Sequence, residues 1–205
     1  MRNLLVKPPI LLRKLYPKAL WRVATSEKKI YFTFDDGPIP TITPRILDIL
    51  KEYNAKATFF CVGENIVKYP TLFDRILTEG HTVGNHSYNH VNSWKVSNAD
   101  YLANIEKCQE LYPFTMFRPP YGKMRLSAYR ELQKKYKIVL WDILTMDYSA
   151  SISNEQCYLN ATNNYGNGSI LVFHDNIKAE EKIKTTLPKV LQFYTERGFL
   201  FDSLT

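Results

Sequence analysis

Short apolar runs alternate with amphipathic helical patterns along most of this chain, and this alternation constrains the fold more than any other feature. Seven runs have the composition of buried strands, at residues 30–34, 57–61, 81–84, 115–117, 138–141, 169–173 and 199–201. Helical patterns separate most of them, which is typical of βα units and a mainly parallel sheet. The sequence therefore predicts an α/β protein with a closed or nearly closed barrel of seven units. An open doubly wound sheet is the alternative.

The chain has 205 residues, which is enough for one domain with a short extension. We predict a basic N-terminal extension at residues 1–28 that caps one end of the barrel, and a single domain at residues 29–205. Lys7, Pro8, Pro9 and Arg13 interrupt the apolar runs of the extension, and no small-residue cleavage site follows, so a signal peptide is not indicated. A basic amphipathic segment with weak contact to a membrane surface is the alternative interpretation. Without an export signal, the default location is the cytoplasm, and association with the cell envelope is the alternative.

Charge and cysteine content exclude several classes of protein. The net charge is +7, but no arginine-rich block is present, so we predict a solvated basic surface and no nucleic-acid partner. No run of residues has the length of a transmembrane helix. Three cysteines at unequal spacing match neither a disulfide framework nor paired zinc-ligand motifs, and we expect buried free thiols.

The first predicted strand ends in two adjacent carboxylates, Asp35 and Asp36, followed by a Gly-Pro turn. The carboxyl ends of barrel strands are where such folds place their chemistry. Side chains alternate along a strand and the alternation fails at a turn, so the two aspartates can face a metal ion and a water molecule separately. An ordinary Asp-Gly-Pro turn is the alternative from these residues alone.

Two histidines, His86 and His90, are spaced so that both can reach one cation. Adding one of the two aspartates gives two imidazoles and a carboxylate, which leaves open positions as a catalytic metal site requires. These donors suit zinc, with cobalt, nickel or iron as alternatives. The same ligand set occurs in non-haem iron oxygenases, but a second aspartate beside a metal favours hydrolysis.

Further candidate residues follow other predicted strands. His174 is a candidate general acid, with Asp147 holding its second ring nitrogen; a histidine bonded to the backbone of the core is the alternative. Arg118 is a candidate to orient the base carboxylate by paired hydrogen bonds, or to brace its loop. The peptide N–H of Tyr121 is a candidate donor to an oxyanion.

Three of these motifs, in this order, resemble the polysaccharide deacetylases of carbohydrate esterase family 4, which share the NodB homology domain. They are residues 33–38, the pair His86 and His90, and residues 118–122. The resemblance covers residues 29–205, identifies them as a polysaccharide deacetylase catalytic domain, and implies a distorted (β/α)7 barrel.

The resemblance also implies roles for single residues. Asp35 is the base and Asp36 a metal ligand with the two histidines, an assignment that the residues alone leave open. Arg118 orients the base, the Tyr121 amide supports the oxyanion, and His174 protonates the leaving group. The implied reaction is metal-dependent hydrolysis of an N-acetyl or O-acetyl group, with N-acetyl favoured, from an acetylated saccharide with release of acetate. Family members act on chitin oligomers, peptidoglycan and acetylated xylan.

The fourth and fifth motifs depart from the family's pattern. Leu144 stands where the family has the first of two aspartates, and only the second, Asp147, is kept. Tyr148 replaces a tryptophan and Val172 a common leucine, so Tyr121, Tyr148 and Val172 are predicted to form an altered substrate pocket. These departures leave a second hypothesis open, a metal-containing saccharide-binding protein with little catalysis. An iron oxygenase is the third.

Overall fold

The computed structural model describes residues 6–205 of the chain. Its strands are β1 Lys29–Asp35, β2 Ala57–Cys61, β3 Thr82–Asn85, β4 Met116–Phe117, β5 Lys137–Ile138, β6 Ile143–Leu144, β7 Ser169–His174 and β8 Leu200–Phe201. Its α-helices are α1 Ile10–Leu15, α2 Thr43–Glu52, α3 Gly63–Lys68, α4 Pro70–Thr78, α5 Asn98–Gln109, α6 Leu126–Leu132, α7 Asn154–Thr162, α8 Glu180–Thr185 and α9 Leu187–Thr195. Two short 3₁₀ helices lie at Pro120–Gly122 and Ile177–Ala179.

All paired strands are parallel, in the order β5-β4-β3-β2-β1-β7-β6, with β8 beside the start of β1. The strands β1, β2 and β7 at the centre are almost entirely buried, which is why they read as continuous apolar runs in the sequence. The predicted α/β class and the distorted (β/α) barrel in a single domain are confirmed.

The two ends of this strand order are joined by one extended segment, residues 137–144. At its start it pairs with β4, where the Val139 amide donates to the Phe117 carbonyl at 2.9 Å. At its end it pairs with β7, where the Asp142 amide donates to the Ile170 carbonyl at 3.0 Å. The sequence predicted one strand at 138–141; the structure instead has two short ones, β5 and β6, because the segment changes partner between them.

Backbone groups at this change of partner are satisfied by Leu20, from the segment before β1. The Leu20 amide donates to the Ile138 carbonyl and its own carbonyl accepts from the Leu140 amide, both at 2.8 Å. Nearby, Tyr16 and Trp21 are buried in the main core. Since a buried backbone group without a partner is costly, Leu20 stabilises the barrel wall at this change of partner.

The helices cover the outside of the sheet. Ser97 and Ser153 cap α5 and α7, because their side chains accept hydrogen bonds from the amides of Asp100 and Gln156. The short helices α3 and α8 show no helical period in the sequence, because each has only six residues and few apolar positions. All three cysteines are buried and unpaired. Within residues 6–205, no helix combines the length and apolar content needed to cross a bilayer.

Candidate active site

A cavity of about 350 Å³ opens at the carboxyl ends of the strands. Nearly every residue that the sequence singled out lines it, together with several that it did not. The lining residues are Asp35, Asp36, His86, His90, Arg118, Tyr121, Gly122, Trp141, Leu144, Tyr148, Val172, His174, Asn176 and Lys178. Asp147 is fully buried behind this wall, in contact with His174.

Asp36, His86 and His90 converge in the cavity. Their candidate ligand atoms lie within 4.8 Å of one another. Asp36 Oδ1 is 3.1 Å from His90 Nε2 and 3.5 Å from His86 Nε2. This geometry could hold one metal ion.

The surroundings of Asp36 fit a cation. Its Oδ1 is buried and accepts no hydrogen bond of good geometry from residues 6–205, which would be costly without a positive partner. Burial raises the pKa of Asp36, but the imidazoles of His86 and His90 and the charge of His174 outweigh it and hold the pKa well below its ordinary value. The carboxylate is therefore ionised, as a metal ligand must be.

Two contacts set the orientation of these ligands. His86 Nδ1 lies 2.8 Å from the Arg118 carbonyl, an acceptor only, so Nδ1 carries the proton and Nε2 presents its lone pair to the cavity. Asn176 Nδ2 donates to Asp36 Oδ2 at 2.6 Å, which leaves Oδ1 to face the histidines. Asp36 has a left-handed backbone, φ 90°, so its side chain departs from the direction of Asp35.

Asp35 is held by Arg118. Arg118 Nη1 donates at 2.7 Å to Asp35 Oδ1 and at 2.7 Å to Thr33 Oγ1, and Nη2 donates to the Leu140 carbonyl at 2.8 Å. The prediction that the arginine forms paired hydrogen bonds with the carboxylate is therefore wrong. One nitrogen binds one carboxylate oxygen, because the rest of the guanidinium serves Thr33 and the backbone of the segment between β5 and β6.

His174 forms a pair with Asp147. The His174 Nδ1 lies 2.8 Å from Asp147 Oδ1, and the His174 amide donates to Asp147 Oδ2 at 2.6 Å. Burial lowers the pKa of His174, but the charge and hydrogen bond of Asp147 outweigh it and raise the pKa to about 9. At neutral pH the imidazole is therefore protonated and faces the cavity as a proton donor.

Tyr121 and its neighbours form the opposite wall. The Tyr121 ring packs on His90 with centroids 4.7 Å apart, and its backbone is left-handed at φ 62°. Gly122 must be glycine, because its φ is +66° and a Cβ would lie 2.4 Å from the Trp141 ring. The turn thus brings the backbone next to His90 and to Trp141.

The departures from the family pattern line one side of the cavity. The Tyr148 ring meets His174 edge-on, with centroids 4.7 Å apart. Val172 and Leu144 lie beside it on β7 and β6, and both are buried. This side is apolar, so it suits a methyl group close to the proton donor.

Sequence reasoning missed Asn176, Thr33 and Trp141. Asn176 follows β7 at the same rim as the predicted residues, and this position could have identified it as a candidate site residue. Thr33 is the first residue of the matched motif at 33–38, but no role could be assigned to it, because a threonine inside a strand is ordinary β-former chemistry. Trp141 was assigned to a strand, and only the change of partner in residues 137–144 directs it to the cavity.

Known proteins resemble this chain in sequence and in structure. A family model described as polysaccharide deacetylase matches residues 22–141. A peptidoglycan-N-acetylglucosamine deacetylase of Bacillus cereus is 35% identical over 197 residues, covering 84% of this chain and 71% of that protein. A second Bacillus cereus protein of the same description is 32% identical over 193 residues, covering 90% of each. The crystal structure of a peptidoglycan N-acetylglucosamine deacetylase superposes with a TM-score of 0.86 at 31% identity, over 96% of this chain and 94% of that one.

Proposed function

The chain belongs to the polysaccharide deacetylase family and is a carbohydrate deacetylase, and from this premise we propose that it removes N-acetyl groups from the glycan of peptidoglycan. The choice of glycan is supported by the activity named for its relatives. The observation that carries the proposal is the convergence of three units on one cavity. These are the ligand set Asp36, His86 and His90, the pair of Asp35 with Arg118, and the pair of His174 with Asp147. A peptidoglycan substrate also favours the cell envelope over the cytoplasm as the place of action.

We further propose that Asp36, His86 and His90 hold a divalent metal ion, zinc first among cobalt, nickel and iron. One carboxylate oxygen and two imidazole nitrogens are the donors that zinc takes in catalytic sites. When bound, such an ion would polarise the acetyl carbonyl and lower the pKa of nearby water.

The residues of the chain divide the remaining chemistry among them. Asp35, fixed by Arg118, accepts a proton from the water molecule that attacks the acetyl carbonyl carbon. The Tyr121 amide donates to the developing oxyanion. His174 then gives its proton to the departing sugar nitrogen, so that acetate and a free amine leave the site. Tyr148 and Val172 flank the acetyl methyl.

The test is acetate release from N-acetylated peptidoglycan fragments and from N-acetylglucosamine oligomers, followed by mass spectrometry. We expect products that have lost one acetyl group, with activity abolished by a chelator and restored by zinc. Sugar binding without acetate release from any acetylated glycan would instead support the saccharide-binding hypothesis.

A further inference from the structure

The positive charge of this protein is concentrated at its N-terminus. The first 26 residues contain six lysines and arginines and no aspartate or glutamate, whereas the other 179 residues carry 21 basic residues against 20 acidic ones. Six of the seven net positive charges therefore belong to one short segment. A segment of this composition attracts an anionic surface.

Helix α1, inside this segment, exposes aliphatic side chains. Ile10 is 74% exposed, Leu11 73% and Leu15 44%. Leu11 and Leu15 are four residues apart and adjacent on the helix surface, and Lys14 stands in the row beside them, four residues after Ile10. Leu12 faces the opposite way and packs against the core. The outer face therefore combines large apolar groups with a cation, which is typical of a helix at a membrane interface.

Other cations of the segment hold this face outward. Lys7 Nζ and Arg13 Nη2 lie 3.0 and 3.1 Å from the two oxygens of Asp142, whose side chain is 2% exposed. Lys14 and Lys18 have no ion pair with any described residue, and both are exposed. Two basic residues thus fix the helix to the barrel while two remain available to a partner.

One end of the α1 region contacts a residue that lines the catalytic cavity, and the other end contacts a residue close to the cavity in the chain. The Val6 carbonyl accepts from the Leu144 amide at 2.9 Å, and Leu144 lines the cavity. Tyr16 Oη donates to the Met124 carbonyl at 2.6 Å, two residues after Gly122 of the opposite wall. A partner bound to α1 would therefore lie next to the mouth of the cavity.

We propose that the α1 surface, defined as Ile10, Leu11, Lys14, Leu15 and Lys18, binds a lipid bilayer that contains anionic lipids. A soluble polyanion would use the lysines only and leave the aliphatic side chains in water, whereas a bilayer interface accepts both. Binding would hold the deacetylase cavity close to the membrane. The inference stands independently of the substrate proposed above.

The test uses the full chain with sedimented vesicles, either of phosphatidylcholine alone or with about one-third phosphatidylglycerol. We expect binding to the anionic vesicles that weakens as salt is raised, and little binding to the neutral ones. Ile10→Ser with Leu11→Ser should weaken binding by about tenfold or more, because the apolar contribution is lost. Thermal unfolding and acetate release of the variant, both expected to match the parent, show that the fold and active site are intact.

A matched pair of charge-reversal variants tests whether binding depends on the α1 surface or only on the net charge of the protein. Lys14→Glu with Lys18→Glu should lower the affinity for anionic vesicles by about tenfold or more. Lys51→Glu with Lys189→Glu makes the same change in net charge on α2 and α9, where both lysines are exposed, and should lower it far less. Equal losses in the two double variants, or no binding to anionic vesicles at low salt, would overturn the proposal.

Two further outcomes would show that the α1 surface binds a different partner. Binding of polyphosphate that the serine double variant leaves unchanged, without vesicle binding, would identify a soluble polyanion. A dimer seen by analytical ultracentrifugation without lipid, and lost in the serine double variant, would identify a second copy of the chain.

Discussion

Asp35 and Asp36 are adjacent in the sequence, yet their carboxylates have different partners. Asp35 is the last residue of β1 and follows the pleat toward Arg118. Asp36 is already in the turn, at φ 90°, and faces His86 and His90. This divergence would allow one dipeptide to supply both the base and the metal ligand of the proposed mechanism.

Substitution of the two aspartates should therefore have different effects on turnover and on metal binding. Asp35→Asn is expected to keep the metal ion but to lose turnover by about 100-fold or more, because the base is removed and the ligands are not. Asp36→Ala should lose the ion itself. Metal content by mass spectrometry, measured beside acetate release, separates the two, and a metal-free Asp35→Asn protein would refute the division of roles.

Asp147→Asn should move the alkaline limit of activity to lower pH. His174 must be protonated to serve as the acid, and a group is protonated below its pKa, so activity persists until pH approaches the pKa of His174. Without a bound metal ion that pKa is about 9, and it falls when the charge of Asp147, the main cause of the rise, is removed. The pH dependence of kcat/KM for zinc-loaded parent and variant measures the shift; an unmoved alkaline limit would exclude His174 as the acid.

We propose that Asn176 positions Asp36, the proposed metal ligand. Asn176→Ala removes the hydrogen bond to Asp36 Oδ2 and should weaken zinc binding by about 10- to 100-fold. Asn65→Ala is the control, because Asn65 donates to the backbone carbonyl of Asp36 and not to its carboxylate. Titration of zinc against a competing chelator should give a smaller loss of zinc affinity for Asn65→Ala. Equal losses would argue that Asn176 does not act by orienting the Asp36 carboxylate.

At the scale of elements, residues 137–144 connect the barrel wall to the candidate site. The segment leaves β4 before it joins β7, and the carbonyls freed between them accept from Leu20 and Arg118. Arg118 thus connects the barrel wall to Asp35. The same change of partner therefore distorts the barrel and exposes the Leu140 carbonyl that Arg118 uses while it binds Asp35.

The junction of β2 and β3 contains a titrating group far from the candidate site. The Ala57 amide donates to His81 Nδ1 at 3.2 Å. Burial, with the charge of Lys56, lowers the pKa of His81 to about 4. In the unfolded chain a histidine has a pKa of about 6.5, so between these values the unfolded state binds the additional proton.

The fold should accordingly lose stability as pH falls from about 6.5 to about 4. In His81→Gln this acid-induced loss should be smaller, although the variant is less stable at neutral pH. Urea unfolding of both proteins at pH 7 and pH 4.5 provides the comparison, since the other histidines contribute equally to each. An identical pH dependence in the two proteins would show that His81 is not the group responsible.

At the scale of the whole molecule, the barrel and the segment before it act together. We propose that residues 1–28 form an extension to the domain at residues 29–205, and the contacts of Tyr16, Leu20 and Trp21 with the barrel support this division. Asp142 is the electrostatic centre of the contact, because Lys7 and Arg13 both reach it. The extension thereby connects the catalytic cavity to the α1 surface.

Asp142→Asn should loosen this contact and lower the free energy of unfolding by about 1–2 kcal/mol, a modest figure because both cations are partly in water. Asp48→Asn makes the same change at an exposed ion pair with Arg75 and should cost less. Urea unfolding measures both, and faster proteolysis within the first 28 residues should accompany Asp142→Asn only. Equal stability losses would indicate that Asp142 is no more than a surface charge.

The sequence by itself determined the class of fold, the order of its main elements and the candidate site residues, because strand and helix periods, caps and post-strand polar residues are local features. Only the tertiary structure decided how residues 137–144 divide between β4 and β7, that Arg118 binds a single oxygen of Asp35, and that Asn176 orients Asp36. These outcomes depend on which distant backbone and side-chain groups compete for the same hydrogen bonds. That competition is settled by packing in three dimensions, so no local pattern in the chain records it.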